Sequence, residues 1–201
     1  GTSIESIHIP SNVSKIGEYA FCECYYLKKI EINKNSELKF IDQYAFSKTL
    51  IEEIYVPSDV IKIADYTFSE CTNLKKVEFA NDSKLKFIGE FSFYKTSIEK
   101  ISIPKNVKNI QNSAFSQCRK LKIIEFNKDS ELQFIGKYAF TETSIENIKI
   151  PSNVLKIDQY AFGNCKSLKS IEIPTDSNLR EIGEGAFYSC LIQSLFIPSH
   201  F

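Results

Sequence analysis

Residues 144–165 read SIENIKIPSNVLKIDQYAFGNC, and the same phrase returns as SIESIHIPSNVSKIGEYAFCEC from Ser3 and SIEKISIPKNVKNIQNSAFSQC from Ser97. A chain that restates itself at fixed spacing stacks one structural unit on the next, so the period governs every later reading. Pro10, Pro57, Pro104, Pro151 and Pro198 stand 47 residues apart, and Cys24, Cys71, Cys118 and Cys165 keep that interval. A finer series, Phe21, Phe46, Phe68, Phe93, Phe115, Phe140, Phe162 and Phe187, has gaps that alternate between 25 and 22 residues. The unit is therefore a pair. Short repeats open near Ser3, Leu50, Ser97 and Ser144, long ones near Tyr25, Thr72, Arg119 and Lys166, and a half-repeat opens at Leu191.

Each repeat begins with apolar residues at its first, fourth and sixth positions, as in Ile145, Ile148 and Ile150. The last two alternate with a polar residue, which predicts a short strand with one buried face. Short repeats then place a proline, whose missing N–H suits a chain leaving a ladder. Long repeats insert three residues and an Asn/Asp-Ser turn instead: NKNS, ANDS, NKDS and PTDS. Both routes rejoin on a common return path, Val13 and Ile16 matching Leu38 and Ile41. A small residue then precedes each phenylalanine (Ala45, Thr67, Ser92 and Ala114 among them), letting the next coil approach while the ring fills the interior. A unit of 22 to 25 residues cannot bury its own apolar face, but stacked coils share one core.

The repeated pattern L/I-x-x-I-x-I-P-x-N-V-x-x-I-x-x-x-A-F-x-x-C resembles the leucine-rich repeat scheme, and its IP..V..I...AF..C ending resembles the BspA-like class. The resemblance covers the chain from Ile4 to Pro198. It implies a leucine-rich repeat solenoid of the α/β-type superhelix class, with short parallel strands forming one curved sheet over about eight and a half repeats. It also implies a surface protein of the kind found in bacteria and protozoan parasites, some of which are adhesins for host extracellular-matrix proteins. Residues 1–201 form one domain on this reading, and the absence of capping modules marks the chain as an expected fragment of a longer array.

Composition narrows the function from the other side. The 201 residues are 43% hydrophobic and 25% charged, enough for a substantial core, and 25 basic residues balance 25 acidic ones. A formal charge of zero gives no long-range field to draw nucleic acid, and no apolar run is long enough to insert in a bilayer. Only two histidines occur, His8 and His200, at opposite ends. With no nucleophile–base pair, phosphate loop or metal-ligand spacing beyond Cys22-x-Cys24, neither an enzyme nor a cofactor is expected.

Equivalent positions in adjacent coils sit about 5 Å apart, so cysteines two coils apart are about 10 Å apart and beyond disulfide reach. Cys24, Cys71, Cys118 and Cys165 are therefore expected as small buried thiols, with Thr49, Thr96 and Thr143 between them. Cys190 takes the place of a threonine in the coil after Cys165, which makes a Cys165–Cys190 disulfide the one bridge geometry permits. Two N-glycosylation sequons, at Asn12 and Asn81, fall in turns.

Outward positions of the predicted strands form stripes. The first, from Glu5, Lys28 and Glu52 to Lys169 and Gln193, alternates in sign and reads as register and solubility. The third runs His8, Glu31, Tyr55, Glu78, Ser102, Glu125, Lys149, Glu172 and Phe196, with glutamate in every long repeat and variation in the short ones. Variation inside a strict repeat marks positions released from packing. The concave face is therefore the expected binding surface, with Tyr55 and Ile123 of the second stripe as anchors. Phe40, Phe87 and Phe134, found only in long repeats, are expected to cover the three-residue insertion and stack at two-coil spacing. The leading expectation is a non-catalytic module, at the cell surface or secreted, holding a protein ligand. An intracellular scaffold and a structural spacer are the alternatives. Terminal strands near Ile4 and Leu195 invite self-association.

Overall fold

The computed structural model describes residues 2–196. Pro198 and His200 lie outside the described residues, as does the side chain of Phe196. The chain winds into a β-solenoid with two kinds of strand in alternation. Odd-numbered strands are β1 (Ser6–Ile9), β3 (Lys29–Ile32), β5 (Glu53–Val56), β7 (Lys76–Phe79), β9 (Lys100–Ile103), β11 (Ile123–Phe126), β13 (Asn147–Lys149), β15 (Ser170–Glu172) and β17 (Ser194–Phe196). Even-numbered strands have two residues each: β2 (Lys15–Ile16), β4 (Phe40–Ile41), β6 (Lys62–Ile63), β8 (Phe87–Ile88), β10 (Asn109–Ile110), β12 (Phe134–Ile135), β14 (Lys156–Ile157) and β16 (Glu181–Ile182).

The expected ladder of short parallel strands is present, and a second accompanies it. The even strands pair in sequence order from β2 to β16 as one eight-stranded parallel sheet. The odd strands pair as β1–β3, β5–β7, β9–β11 and β13–β15–β17 rather than as a single sheet. A parallel ladder needs evenly spaced bonds. Between β3 and β5 only a bond ahead of the strand persists, Glu52 N–H to the Lys28 carbonyl at 3.2 Å. Among the described residues no segment is helical, so the third side of each coil is built from turns.

That turn side explains how helix is dispensed with. Two rows of residues adopt left-handed backbone, the first including Tyr19, Tyr44, Tyr66 and Phe91 and the second Glu23, Lys48, Glu70 and Lys95, with φ between 50° and 59°. Such values are uncommon outside glycine. Here they aim N–H groups along the solenoid axis: Tyr66 donates to Glu90 at 2.8 Å, Phe68 to Ser92 at 2.8 Å and Glu70 to Tyr94 at 2.8 Å. Three bonds to the next coil offset the local strain.

The core follows the period. Phe46, Phe68, Phe93, Phe115, Phe140 and Phe162 are fully buried and stack nearly parallel, with ring centroids 5.1 to 5.6 Å apart. Phe21 and Phe187 are half-buried against the two ends of the stack. Outside it, Tyr19, Tyr44, Tyr66 and Phe91 make a second, solvent-facing stack at 4.6 to 4.9 Å.

The cysteines serve this core. The Cys71 thiol donates to the Phe46 carbonyl at 3.0 Å and lies 3.3 Å from the Thr49 hydroxyl, which itself donates to the Phe46 carbonyl at 2.9 Å. Cys118 with Thr96 and Phe93, and Cys165 with Thr143 and Phe140, repeat the arrangement. Burial pushes the Cys71 and Cys118 thiols up to about 12. Cys190 stands at the threonine position of the coil after Cys165 and meets Cys165 from the side opposite Thr143; hydrogen bonding between the two raises Cys165 and lowers Cys190. A raised thiol holds less thiolate at a given pH and reacts more slowly. At pH 8, alkylation followed by mass spectrometry is expected to label Cys190 well before Cys71 and Cys118. After treatment with oxidised glutathione, the Cys165–Cys190 disulfide we propose would protect Cys190 and remove two hydrogens from the protein; full labelling at Cys190 would refute it.

Candidate binding face

The binding face is built on the outward residues of the odd strands. Strand alternation sends Ile54, Val77, Ile101 and Ile148 inward and turns their neighbours outward. Pairing brings Tyr55 beside Glu78, Ser102 beside Glu125, Ile123 beside Lys100, and Lys149 beside Glu172. His8 lies beside Glu31 at 3.7 Å.

The glutamate row does not stand free. Lys29 holds Glu31 at 2.5 Å, Lys76 holds Glu78 at 3.0 Å, Lys100 holds Glu125 at 2.6 Å and Lys149 holds Glu172 at 2.6 Å. Ser102 also donates to Glu125 at 2.7 Å. Hydrogen bonds from these lysines keep the carboxyls of Glu31, Glu78 and Glu125 below the usual range. Ion pairs at an exposed surface offer a partner little. What remains available is apolar: Ile123 is 49% exposed, and Tyr55 is half-buried, its phenol pushed up by burial and then by Asp82 and Glu78.

The edge beside this face carries a relief that the repeat pattern alone does not display. Successive long corners, with their three extra residues, flank the short corner between them: residues 34–37 and 79–82 stand on either side of Ser58 and Asp59, and residues 79–83 and 126–127 on either side of Pro104 and Lys105. The serine of a long corner is pulled inward, the Ser83 hydroxyl accepting from Leu85 N–H at 3.3 Å and the Ser130 hydroxyl from Leu132 N–H at 3.3 Å. Asn106 and Asn153 of the short corners donate to the Ser83 and Ser130 carbonyls at 2.7 and 2.8 Å. The result is a row of notches. One, of about 530 Å³, includes Tyr55, Ser58, Glu78 and Asn81, and the next, of about 480 Å³, includes Asn81, Ser102, Pro104 and Glu125. Tyr55, Glu31 and Glu78 also bound a smaller depression of about 280 Å³. Ile123, Lys149 and Glu172 border none of these. Asn12 and Asn81 are exposed in turns, and Asn81 stands on the ridge between the two notches.

The return side corrects one expectation. Phe40 is 50% exposed, and Phe87 and Phe134 are half-buried rather than covered. Each precedes an inward isoleucine on a two-residue strand, so alternation turns it outward. They do not stack on one another: Lys62 stands between Phe40 and Phe87, and Asn109 between Phe87 and Phe134.

The sequence matches the family described as BspA type leucine rich repeat region, in six copies over residues 1–122 and 86–201. The chain belongs to the BspA-type leucine-rich repeat family. Among solved structures, this BspA-type chain is similar to the T. pallidum leucine-rich repeat protein TpLRR, with 21% identity and a TM-score of 0.70 over 94% of this chain and 78% of that one. It is also similar to a leucine-rich cell surface protein from Faecalibacterium prausnitzii A2-165, with 26% identity and a TM-score of 0.55 over 98% of this chain and 61% of that one. The BspA-type array described here thus spans less than two thirds of the second protein's length. No curated protein matches the sequence. No helix among the described residues is long and apolar enough to cross a membrane.

Proposed function

We propose that this chain is a non-catalytic protein-binding module of an adhesin-like protein, displayed at a cell surface or secreted. It holds a protein ligand, an extracellular-matrix protein in the leading case, against the outward face of the odd strands and into the corner notches. The observation that carries this reading is the contrast within each coil. Inward residues barely change from repeat to repeat, while the outward row changes to present Tyr55, beside two clefts, and Ile123, on the open sheet beside the Lys100–Glu125 pair, among self-neutralised ion pairs. Partly exposed aromatic and apolar anchors ringed by paired charges are what a protein interface centres on. The surface assignment is supported by kinship with the Faecalibacterium cell surface protein. Glycosylation at Asn81, in a host that performs it, would fill the ridge between the notches and block the face. Self-association through the unpaired edges of β1 and β17 belongs to the same proposal.

The test is binding to immobilised collagen, fibronectin and laminin by the chain and by Tyr55→Ala/Ile123→Ala. We expect the double variant to bind the captured ligand about tenfold more weakly, a loss of about 1.4 kcal/mol, with an unchanged far-UV spectrum. Unchanged binding would remove these two residues from the site, and a wholly cytosolic full-length protein would remove the surface reading.

A further inference from the structure

The outward row of the even strands reads Lys15, Phe40, Lys62, Phe87, Asn109, Phe134 and Lys156 on successive paired strands and closes at Glu181, which holds Lys156 at 3.0 Å. Cations and rings therefore alternate about every 5 Å, with the rings about 10 Å from each other. The position just before adds Lys39, Lys86 and Arg180, all exposed. The strand-row lysines are steadied by carboxylates from the next row, Lys15 by Asp42 at 2.8 Å and Lys62 by Asp65 at 3.8 Å. Lys39 and Lys86 form no ion pair among the described residues. The surface from Lys15 to Lys86 is thus a narrow stripe of lysine and phenylalanine along the solenoid axis, bordered by Asp42, Asp65 and Glu90 on one side and reached by Asp59 on the other, while its far end at Lys156 is neutralised by Asp158 and Glu181.

We infer that this stripe is a second binding site, separate from the odd-strand face, and that its ligand is an acidic polysaccharide lying along the axis. Three features select that chemistry. Lys39, which feels the Asp59 carboxylate only from beyond ion-pair distance, and Lys86, which forms no ion pair among the described residues, flank Lys62 and call for a partner with repeated anionic groups. The stripe is narrow, and a planar anionic membrane pressed against it would meet the carboxylates of Asp42, Asp65 and Glu90 all at once, whereas a single chain can place its anionic groups at Lys39 and Lys86, away from the Lys15–Asp42 and Lys62–Asp65 pairs. The rings are held apart by lysine or asparagine, so they form no continuous platform for stacked bases. Isolated rings do suit the apolar faces of successive sugars, whose sulfate or carboxylate groups then reach the lysines on either side.

Heparin is the probe, titrated by calorimetry at low and at physiological salt, with neutral dextran, single-stranded polydeoxythymidine and phosphatidylserine vesicles as comparisons. The chain is expected to bind heparin, more weakly as salt rises, and to leave dextran unbound. Lys39→Gln/Lys62→Gln/Lys86→Gln is expected to weaken binding about tenfold and to flatten the salt dependence. Phe40→Ser/Phe87→Ser is expected to weaken binding severalfold while keeping that dependence. Lys75→Gln/Lys122→Gln/Lys169→Gln, an equal change of charge on another face, is expected to bind as the parent does. The inference falls if heparin does not bind, if both lysine triples lose affinity equally, if the phenylalanine pair has no effect, or if polydeoxythymidine or the vesicles bind more tightly than heparin.

Discussion

Phe115→Ala is expected to destabilise the protein by about 3–5 kcal/mol, the range for emptying a fully buried aromatic site. Phe115 is 0% exposed and lies between Phe93 at 5.1 Å and Phe140 at 5.3 Å, with interplanar angles of 7° and 4°. Its removal takes contact from two coils as well as its own. In a stacked array, stability is close to a sum of coil terms and neighbour-interface terms. A lesion in the middle therefore weakens two interfaces at once and uncouples the halves. Guanidinium unfolding followed by circular dichroism should show a lower midpoint and a broadened or divided transition. Phe21→Ala, at a half-buried ring stacked only on Phe46, should cost less than half as much and move only the onset. Equal costs at the two positions would show that the rings do not act through stacking.

Gly136→Val should be the second most damaging change, at about 3 kcal/mol. A Cβ at Gly136 would sit 2.7 Å from the Gln111 carbonyl carbon and 2.8 Å from the Asn112 nitrogen. Those neighbours are backbone of the preceding coil and cannot swing aside, so the coils must part where the Gly136 N–H meets the Ile110 carbonyl at 2.9 Å. Overpacking of this kind costs about 1–3 kcal/mol, and two further methyls place valine at the upper end. Gly17 has nothing within 4 Å of the same position. Gly17→Ala should leave the unfolding free energy within about 0.5 kcal/mol of the parent, and a comparable loss at both sites would refute close approach as the reason for glycine.

Much of this architecture was legible because identical surroundings select identical residues. The 47-residue interval, the inward isoleucines and the phenylalanine column all follow from that, and so does the placement of Tyr55 and Ile123 on the outer face. The second ladder was not legible, since two residues such as Lys15 and Ile16 are too few to display alternation. The left-handed rows were hidden because tyrosine, glutamate and lysine occupy sites where glycine would have announced the turn. Phe40, Phe87 and Phe134 were expected to cover the three-residue insertion and stack at two-coil spacing; the unforeseen ladder instead turns them outward, where Lys62 and Asn109 keep them apart. The neutralisation of Glu31, Glu78 and Glu125 depends on lysine reach within a face, which spacing does not supply.

The contact of threonine in one coil with cysteine in the next has a bearing on how such a protein can change length. Thr49 meets Cys71, Thr96 meets Cys118 and Thr143 meets Cys165, always across the step from a long coil to a short one. Losing or duplicating one coil would set like against like at this spot and seat one long corner upon another. Removing or copying two together leaves every junction as it was. Genetic variation in this array should therefore come in two-coil cassettes, and the reach of the molecule should be adjustable by that increment alone.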